Sequence, residues 1–177
     1  MKYDYDMIAI GLGPAGMAVS IMGAAMGLKV CGIEKRALGG ECMNVGCIPS
    51  KSLLRMAKTR SLMKDDDEQV SEQFRKPFEK ISEYLNFIDK QKTRSMFEKV
   101  DLILREGAAS FVDRHTVQVG DRKVTAKRIY ISTGTRPMIP PIPGVEDVDY
   151  LTNENIFELD EIPASLTILG GGAIGTE

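Results

Sequence analysis

The chain is poor in the residues that most often mark a metal centre or an extracellular scaffold: its 177 residues include one histidine, His115, and three cysteines, Cys31, Cys42 and Cys47. With no histidine cluster and no second CxxC-like pair, no zinc site is expected. Three unevenly spaced cysteines are also too few for a secreted disulfide framework, which favours a reducing, cytoplasmic setting. Charge of one sign is lacking too. The formal net charge is −2, the basic residues are scattered among acids, and no basic face offers itself to nucleic acid. Met7 to Leu28 carries no charge and has the length of a membrane span. Gly11, Gly13, Pro14, Gly16 and Gly23 nevertheless break it into strand, turn and helix, and Asp4 and Asp6 spoil a basic leader. The length suits one complete domain plus a remnant.

What is present has a clear order. "YDMIAIG" reads as a buried strand, "PAGMAVSIMGAAM" as a helix of small and apolar residues stopped by Gly27, and "KVCGIEK" as a second strand. Residues 39–63 read as a second helix broken near Gly46 and Pro49, followed by an acidic loop at 64–73. From Pro77 to about Lys99, Phe78, Ile81, Leu85 and Ile88 recur at helical spacing. The period then falls to two, so "DLILREG", "ASFVD", "HTVQVG" and "KVTAKRIYIST" are expected as short strands. "RPMIPPIPG" is a stiff proline-rich linker, and "SLTILGGGAIGTE" begins another strand, turn and helix. The chain therefore reads as the front piece of a longer protein.

Gly11-Leu12-Gly13-Pro14-Ala15-Gly16 is a GxGxxG run between a strand and a helix, with Glu34 closing the next strand. In that context the first glycine permits a tight turn, the second lets backbone N–H groups approach a pyrophosphate, and the third allows helix and sheet to pack closely. The helix N-terminus, with roughly half a positive charge, faces the phosphates. Glu34 is suited to accept hydrogen bonds from the ribose hydroxyls of an adenosine. The pattern alone does not separate FAD from NAD. A second GxGxxG, Gly170, Gly172 and Gly175, follows "SLTIL", and two fingerprints imply two dinucleotides, as in an enzyme passing hydride between nicotinamide and flavin.

Cys42 and Cys47 lie in "GGECMNVGCIPSK". Residues five apart in a regular helix are separated by about 7.5 Å along its axis, whereas a disulfide needs Cα atoms roughly 4.4–6.8 Å apart. A bond between them requires a distorted backbone, which Gly46 and Pro49 could supply. A staple closing so small a loop contributes little. A metal clip, two inert buried thiols and a redox couple all stay open on geometry alone.

The stretch "GGECMNVGCIPSK" nearly throughout, with "STGTRP" at Ser132 to Pro137 and the closing "GGGAIGTE", resembles the FAD-dependent pyridine nucleotide-disulfide oxidoreductases, and within them the dihydrolipoamide dehydrogenases most. The likeness covers nearly the whole chain, weakly between about Thr59 and Leu104. It implies an α/β fold: a Rossmann-like FAD-binding domain, with a parallel sheet, helices and a small antiparallel meander, over residues 1–144. Residues 145–177 would then be a linker and the start of a second Rossmann-like, NAD(P)-binding domain. By the same resemblance Cys42 is the interchange thiol that attacks the substrate disulfide. Cys47 is the thiolate against the flavin, a state that a helix N-terminus favours. Lys51 lies near the flavin N5 edge, where a cation stabilises negative charge on the reduced ring. The remaining FAD contacts it implies are Gly11, Gly13, Pro14, Ala15, Gly16, Glu34, Lys35, Gly40, Glu41, Ala109, Thr133 and Gly134, with Gly170, Gly172 and Gly175 for NAD or NADP.

The resemblance implies electron flow between NAD(H), FAD, the Cys42–Cys47 pair and a dithiol or disulfide, with dihydrolipoamide first, a lipoyl-bearing partner and a homodimer. Glutathione reductases carry basic side chains on the first helix, where this chain has Ile21 and Met22; an apolar entrance suits a lipoyl chain better than a charged tripeptide. Mercuric reductase, glutathione reductase, a non-catalytic FAD-binding redox sensor and an NAD-only dehydrogenase are the alternatives. Two departures stand out. Glu41 replaces a residue more often Thr in relatives. The family's catalytic histidine has no counterpart, since His115 sits in an expected hairpin.

Overall fold

The computed structural model describes residues 2–62, 76–88 and 92–177, so the acidic stretch at 64–73 lies outside the described residues. Two compact units emerge, Met1–Asn44 with Phe87–Thr135, and Val45–Asn86 with Arg136–Glu177.

The first unit is a six-stranded sheet in the order β3-β2-β1-β6-β5-β4. Its strands are β1 (Tyr5–Ile10), β2 (Val30–Glu34), β3 (Val100–Leu104), β4 (Ala109–Phe111), β5 (Thr116–Val119) and β6 (Arg122–Ile131). β1, β2 and β3 run parallel, with Ile8 opposite Cys31 and Cys31 opposite Asp101. Helix α1 (Pro14–Ala25) connects β1 to β2, as the glycine pattern and apolar runs require.

β1 explains why its sequence is apolar without alternation. Met7 and Ala9 belong to one core cluster with Leu12, Ala24, Val30, Phe97 and Val100, against which Met17, Val19 and Ile21 of α1 pack. Ile8 and Ile10 belong to the other, with Cys31, Ile33, Ile103, Val117 and Val119. A strand covered on both faces reads as a continuous hydrophobic run.

β6 has two partners along its length. Arg122 to Thr125 pair antiparallel with β5, completing the small meander, and Ala126 to Ile131 pair parallel with β1. The expected short final strand is thus a ten-residue element that carries the chain from the meander to the centre of the sheet. His115 lies in the turn before β5, where its Nδ1 is 3.0 Å from the Ala126 carbonyl oxygen and its ring is 5.0 Å from that of Tyr3.

Three expectations need correction. Of the helix expected from Pro77 to about Lys99, the described residues show α4 (Pro77–Ile88), numbered after α2 (Gly40–Asn44) and α3 (Cys47–Ser61), and a 3-10 turn at Arg94–Phe97, while 89–91 lie outside the described residues. The Thr93 hydroxyl donates to the Ile88 carbonyl at 3.3 Å. The break expected near both Gly46 and Pro49 falls at Gly46 alone (φ −138°, ψ −113°). Pro49 is the third residue of α3, in the turn whose N–H groups have no intrahelical acceptor. Finally, Ser165 to Leu169 form no strand. A ladder needs a partner, and among the described residues none pairs with this stretch. Helix α5 (Ala173–Thr176) follows it. Among the described residues no helix is long and apolar enough to cross a membrane.

Candidate functional site

The GxGxxG turn joins β1 to α1 through three glycines, and at the first and third a side chain would strike backbone. Gly11 has φ +88°, and a Cβ there would lie 2.4 Å from the Ser132 carbonyl oxygen. Gly13 is extended (φ −70°, ψ −173°) and caps α1, with Pro14 next, where a missing N–H costs nothing. A Cβ on Gly16 would fall 1.8 Å from the Gly11 carbonyl oxygen, so the first turn of α1 closes directly onto the end of β1.

Glu34 braces this turn. Its carboxylate accepts the Leu12 N–H at 2.8 Å and the Arg36 N–H at 2.8 Å, linking the end of β2 to the middle of the glycine loop. Charge-assisted bonds to backbone donors are among the stronger ones available. Glu34 therefore shapes the loop, a task the motif does not announce.

The cysteine segment begins at the same place. The Gly39 N–H donates to the Leu12 carbonyl at 2.8 Å. Gly40 has φ +58°, and a Cβ on it would lie 2.7 Å from Gly13 Cα. Two backbones thus meet face to face, which only glycine allows. Asn44 holds the start of α2 by donating its side-chain amide to the Leu38 carbonyl at 2.9 Å and the Gly40 carbonyl at 2.8 Å. Sequence reasoning gave Asn44 no role; its spacing of four from Gly40 was the available signal. Glu41 lies in the first turn of α2 and Cys42 in the next position, both half-buried.

The "STG" segment reaches the turn from β6. The Ser132 N–H donates to the Ile10 carbonyl at 2.7 Å, and a Cβ on Gly11 would lie 3.0 Å from Thr133 Cα. Gly134 turns the chain there with φ +71°. Pro14 and Ala15 are exposed at the helix start, and Lys35 is exposed beside Glu34. Ala109 begins β4 opposite Val119 and packs on the core.

In the second unit, Cys47 is the exposed first residue of α3, a helix of 15 residues. One turn on, Lys51 forms an ion pair with Glu177, and the Ser50 hydroxyl donates to the same carboxylate oxygen at 3.0 Å. The Lys51 hydrogen bond, then that of Ser50, holds the Glu177 carboxyl below its ordinary 4.5. Glu177 is a residue that sequence reasoning quoted only inside a motif. The second fingerprint repeats the geometry of the first. Gly170 has φ +105°, and a Cβ on Gly175 would lie 2.5 Å from the Gly170 carbonyl oxygen. Gly172 caps α5 in the extended conformation (φ −76°, ψ 179°).

The third cysteine is of another kind. Cys31 is fully buried, and burial, with the Asp101 charge second, pushes its thiol up to about 12. Tyr5 packs on the same cluster, and burial, then Cys31 and Asp101, raises its phenol to about 12.

A cradle whose depth depends on missing side chains, with a helix N-terminus and an acid at the following strand, fits the pyrophosphate and adenosine of FAD. Gly11, Gly13, Pro14, Ala15, Gly16 and Glu34 are the residues that would hold them.

Comparison with known proteins agrees. The chain is 39% identical to a mercuric reductase of Bacillus cereus over 99% of this chain and 29% of that protein. It is 37% identical to a glutathione reductase of Nostoc sp. over 100% of this chain and 39% of the relative. A dihydrolipoyl dehydrogenase of Bacillus subtilis is 36% identical over 98% and 39%. The chain spans about a third of the length of these curated relatives. Among solved structures, the HOCl-induced flavoprotein disulfide reductase RclA of Escherichia coli superposes with a TM-score of 0.80 at 30% identity, covering 97% of this chain and 38% of that one. The family model for pyridine nucleotide-disulphide oxidoreductases matches residues 5–177, and the chain belongs to that family of FAD flavoproteins.

Proposed function

We propose that this chain is the FAD-binding front of a disulfide oxidoreductase in which Cys42 and Cys47 form the redox pair. One observation carries the reading: Gly40 meets Gly13 backbone to backbone, so the helix bearing Cys42 starts at the wall of the dinucleotide cradle. A cysteine placed there for packing alone would not need that approach. Residues 1–144 are read as the first segment of the FAD-binding domain and 145–177 as the opening of an NAD(P)-binding domain.

The chemistry is thiol exchange. One thiolate of a substrate dithiol attacks the Cys42 sulfur of the oxidised pair, forming a mixed disulfide and releasing Cys47 as a thiolate. The second substrate thiolate then attacks its own sulfur in that mixed disulfide and releases Cys42. The substrate leaves as a disulfide, and the pair has gained two electrons. FAD supplies the two-electron acceptor, and NAD(H) the soluble carrier. Cys47 stands at the N-terminal end of α3. Lys51, fixed by Glu177, is the cation assigned to the flavin edge.

Dihydrolipoamide, free or on a lipoyl-bearing protein, is the proposed substrate of a homodimeric enzyme. Met22 is 64% exposed on α1 and offers no charge to a glutathione carboxylate, while Ile21 packs into the core. A mercuric reductase is the second reading, supported by identities of 39% and 37% to two proteins of that name.

The test is a visible spectrum of the chain loaded with FAD, before and after one equivalent of dihydrolipoamide. A long-wavelength band that appears with dihydrolipoamide and is absent from the Cys42→Ser and Cys47→Ser double variant supports the redox pair. Retained flavin with no such band in the wild type would remove the pair from the mechanism.

A further inference from the structure

Next to Glu34, outside the glycine turn, a cavity of about 160 Å³ is lined by Arg36, Arg94 and Arg105, with Ala37, Leu38 and Leu104 as its apolar remainder. The three arginines reach it from different places in the first unit: the turn after β2, the 3-10 turn before β3, and the turn after β3. Leu38 is buried and Leu104 half-buried, so three cations gather over an apolar floor.

Arg105 is held in a conformation that its side chain disfavours. Among the described residues it alone is a non-glycine with positive φ, at 59°, and such outliers persist only where the surroundings impose them. Two hydrogen bonds impose this one. The Arg105 N–H donates to the Glu34 carbonyl at 2.8 Å, and its Nε donates to the Arg36 carbonyl at 3.1 Å. The guanidinium is thereby anchored through Nε, while its terminal nitrogens carry four of its five donors.

Glu34, beside this cluster, has both oxygens engaged by the backbone N–H groups of Leu12 and Arg36. Like charges around one small cavity repel one another and raise the potential felt by an anion. Planar guanidinium forks match the oxygens of phosphate. The cavity is well below the roughly 300–1,000 Å³ of sites that enclose whole cofactors, which limits the group it receives to about the size of one phosphate.

We propose that Arg36, Arg94 and Arg105 form a binding site for a phosphate-type oxyanion, either inorganic or carried on a nucleotide, separate from the site of the FAD pyrophosphate. Glu34 lies between the two, taking hydroxyls on one side and leaving anions to the arginines on the other.

The experiment uses the 177-residue chain saturated with FAD, so that phosphate does not compete for the glycine turn. Inorganic phosphate, pyrophosphate and adenosine 3′-phosphate are titrated by calorimetry and thermal unfolding against potassium chloride of equal ionic strength. Saturable binding is expected, with the midpoint rising at least tenfold in Arg94→Gln and in Arg105→Gly, while FAD binding is retained. Arg105→Gly suits the positive φ and removes the cation together with its Nε bond to the Arg36 carbonyl. A midpoint for adenosine 3′-phosphate below that of phosphate supports a nucleotide source, and equal midpoints support inorganic phosphate. Stabilisation that follows ionic strength alone, or titrations unchanged in both variants, would overturn the proposal.

Discussion

Gly16 leaves no room for a side chain above Gly11: a Cβ on Gly16 would lie 1.8 Å from the Gly11 carbonyl oxygen. Because that oxygen belongs to the backbone between β1 and α1, it cannot rotate aside. Gly16→Ala should lower stability by at least about 1–3 kcal/mol, the range for overpacking a tight site, and should abolish FAD retention on gel filtration. A variant with unchanged melting temperature and flavin content would refute the close-packed turn.

Glu34 is expected to act on the cradle even before a nucleotide arrives, since it holds Leu12 and Arg36 by their N–H groups. Glu34→Ala removes two bonds to a charged acceptor, each worth about 1.5–3 kcal/mol. The FAD dissociation constant should rise at least about tenfold, one factor of ten being about 1.4 kcal/mol. Amide exchange at Leu12 should quicken in the flavin-free variant as well. An effect on affinity without any on exchange would confine Glu34 to ribose binding.

The Lys51–Glu177 pair sets a pH dependence on the acid side. Glu177 titrates below 4.5 when its lysine and serine partners are in place. A carboxyl whose folded value is depressed contributes stability above its unfolded value and loses that contribution as pH falls through the folded one. Following the Glu177 carboxyl by NMR in Lys51→Met should show its midpoint move up toward 4.5. Both groups are exposed enough that the thermal stability of the variant at neutral pH should change little.

Cys31 should take no part in exchange chemistry. It is fully buried with its thiol pushed to about 12, and thiolate is the nucleophilic form. In a Cys42→Ser, Cys47→Ser background, a thiol reagent at pH 8 should modify nothing until denaturant is added, and then one group per chain. Because the raised thiol keeps its proton when the unfolded chain has lost it, stability should decline as pH rises from 9.0 toward about 12. Rapid labelling of the native double variant would contradict this burial.

Local features proved legible where one stretch carried its own cause. The β1-α1-β2 unit was readable because apolar runs, glycine spacing and a strand-ending acid lie within residues 5–34. The 3-10 turn at Arg94–Phe97 was not, since periodic Phe78, Ile81, Leu85 and Ile88 gave no sign of a tighter winding before Lys99. Long-range features were hidden for a different reason. Glu177 acquires its role from Lys51, 126 residues earlier, and the three arginines of the cavity converge only because β2 and β3 lie side by side. "SLTIL" has strand composition, but composition supplies no neighbour to pair with.

The central place of β1 fixes an order of events during synthesis. Its partner on one side, β2, follows within one helix, whereas on the other side Asp4 and Thr125, near the start of the β1–β6 pairing, are 121 residues apart. At about 5–20 residues per second, a ribosome needs roughly 6–24 s to cover that distance. Throughout that interval the Tyr5–Ile10 edge emerges with no strand to cover it, and an apolar open edge invites pairing with other chains. The nucleotide turn at its end cannot acquire its Ser132 wall until β6 arrives, so competence to bind FAD comes late, and the first 34 residues alone would make a sticky peptide in place of a small cofactor-binding module.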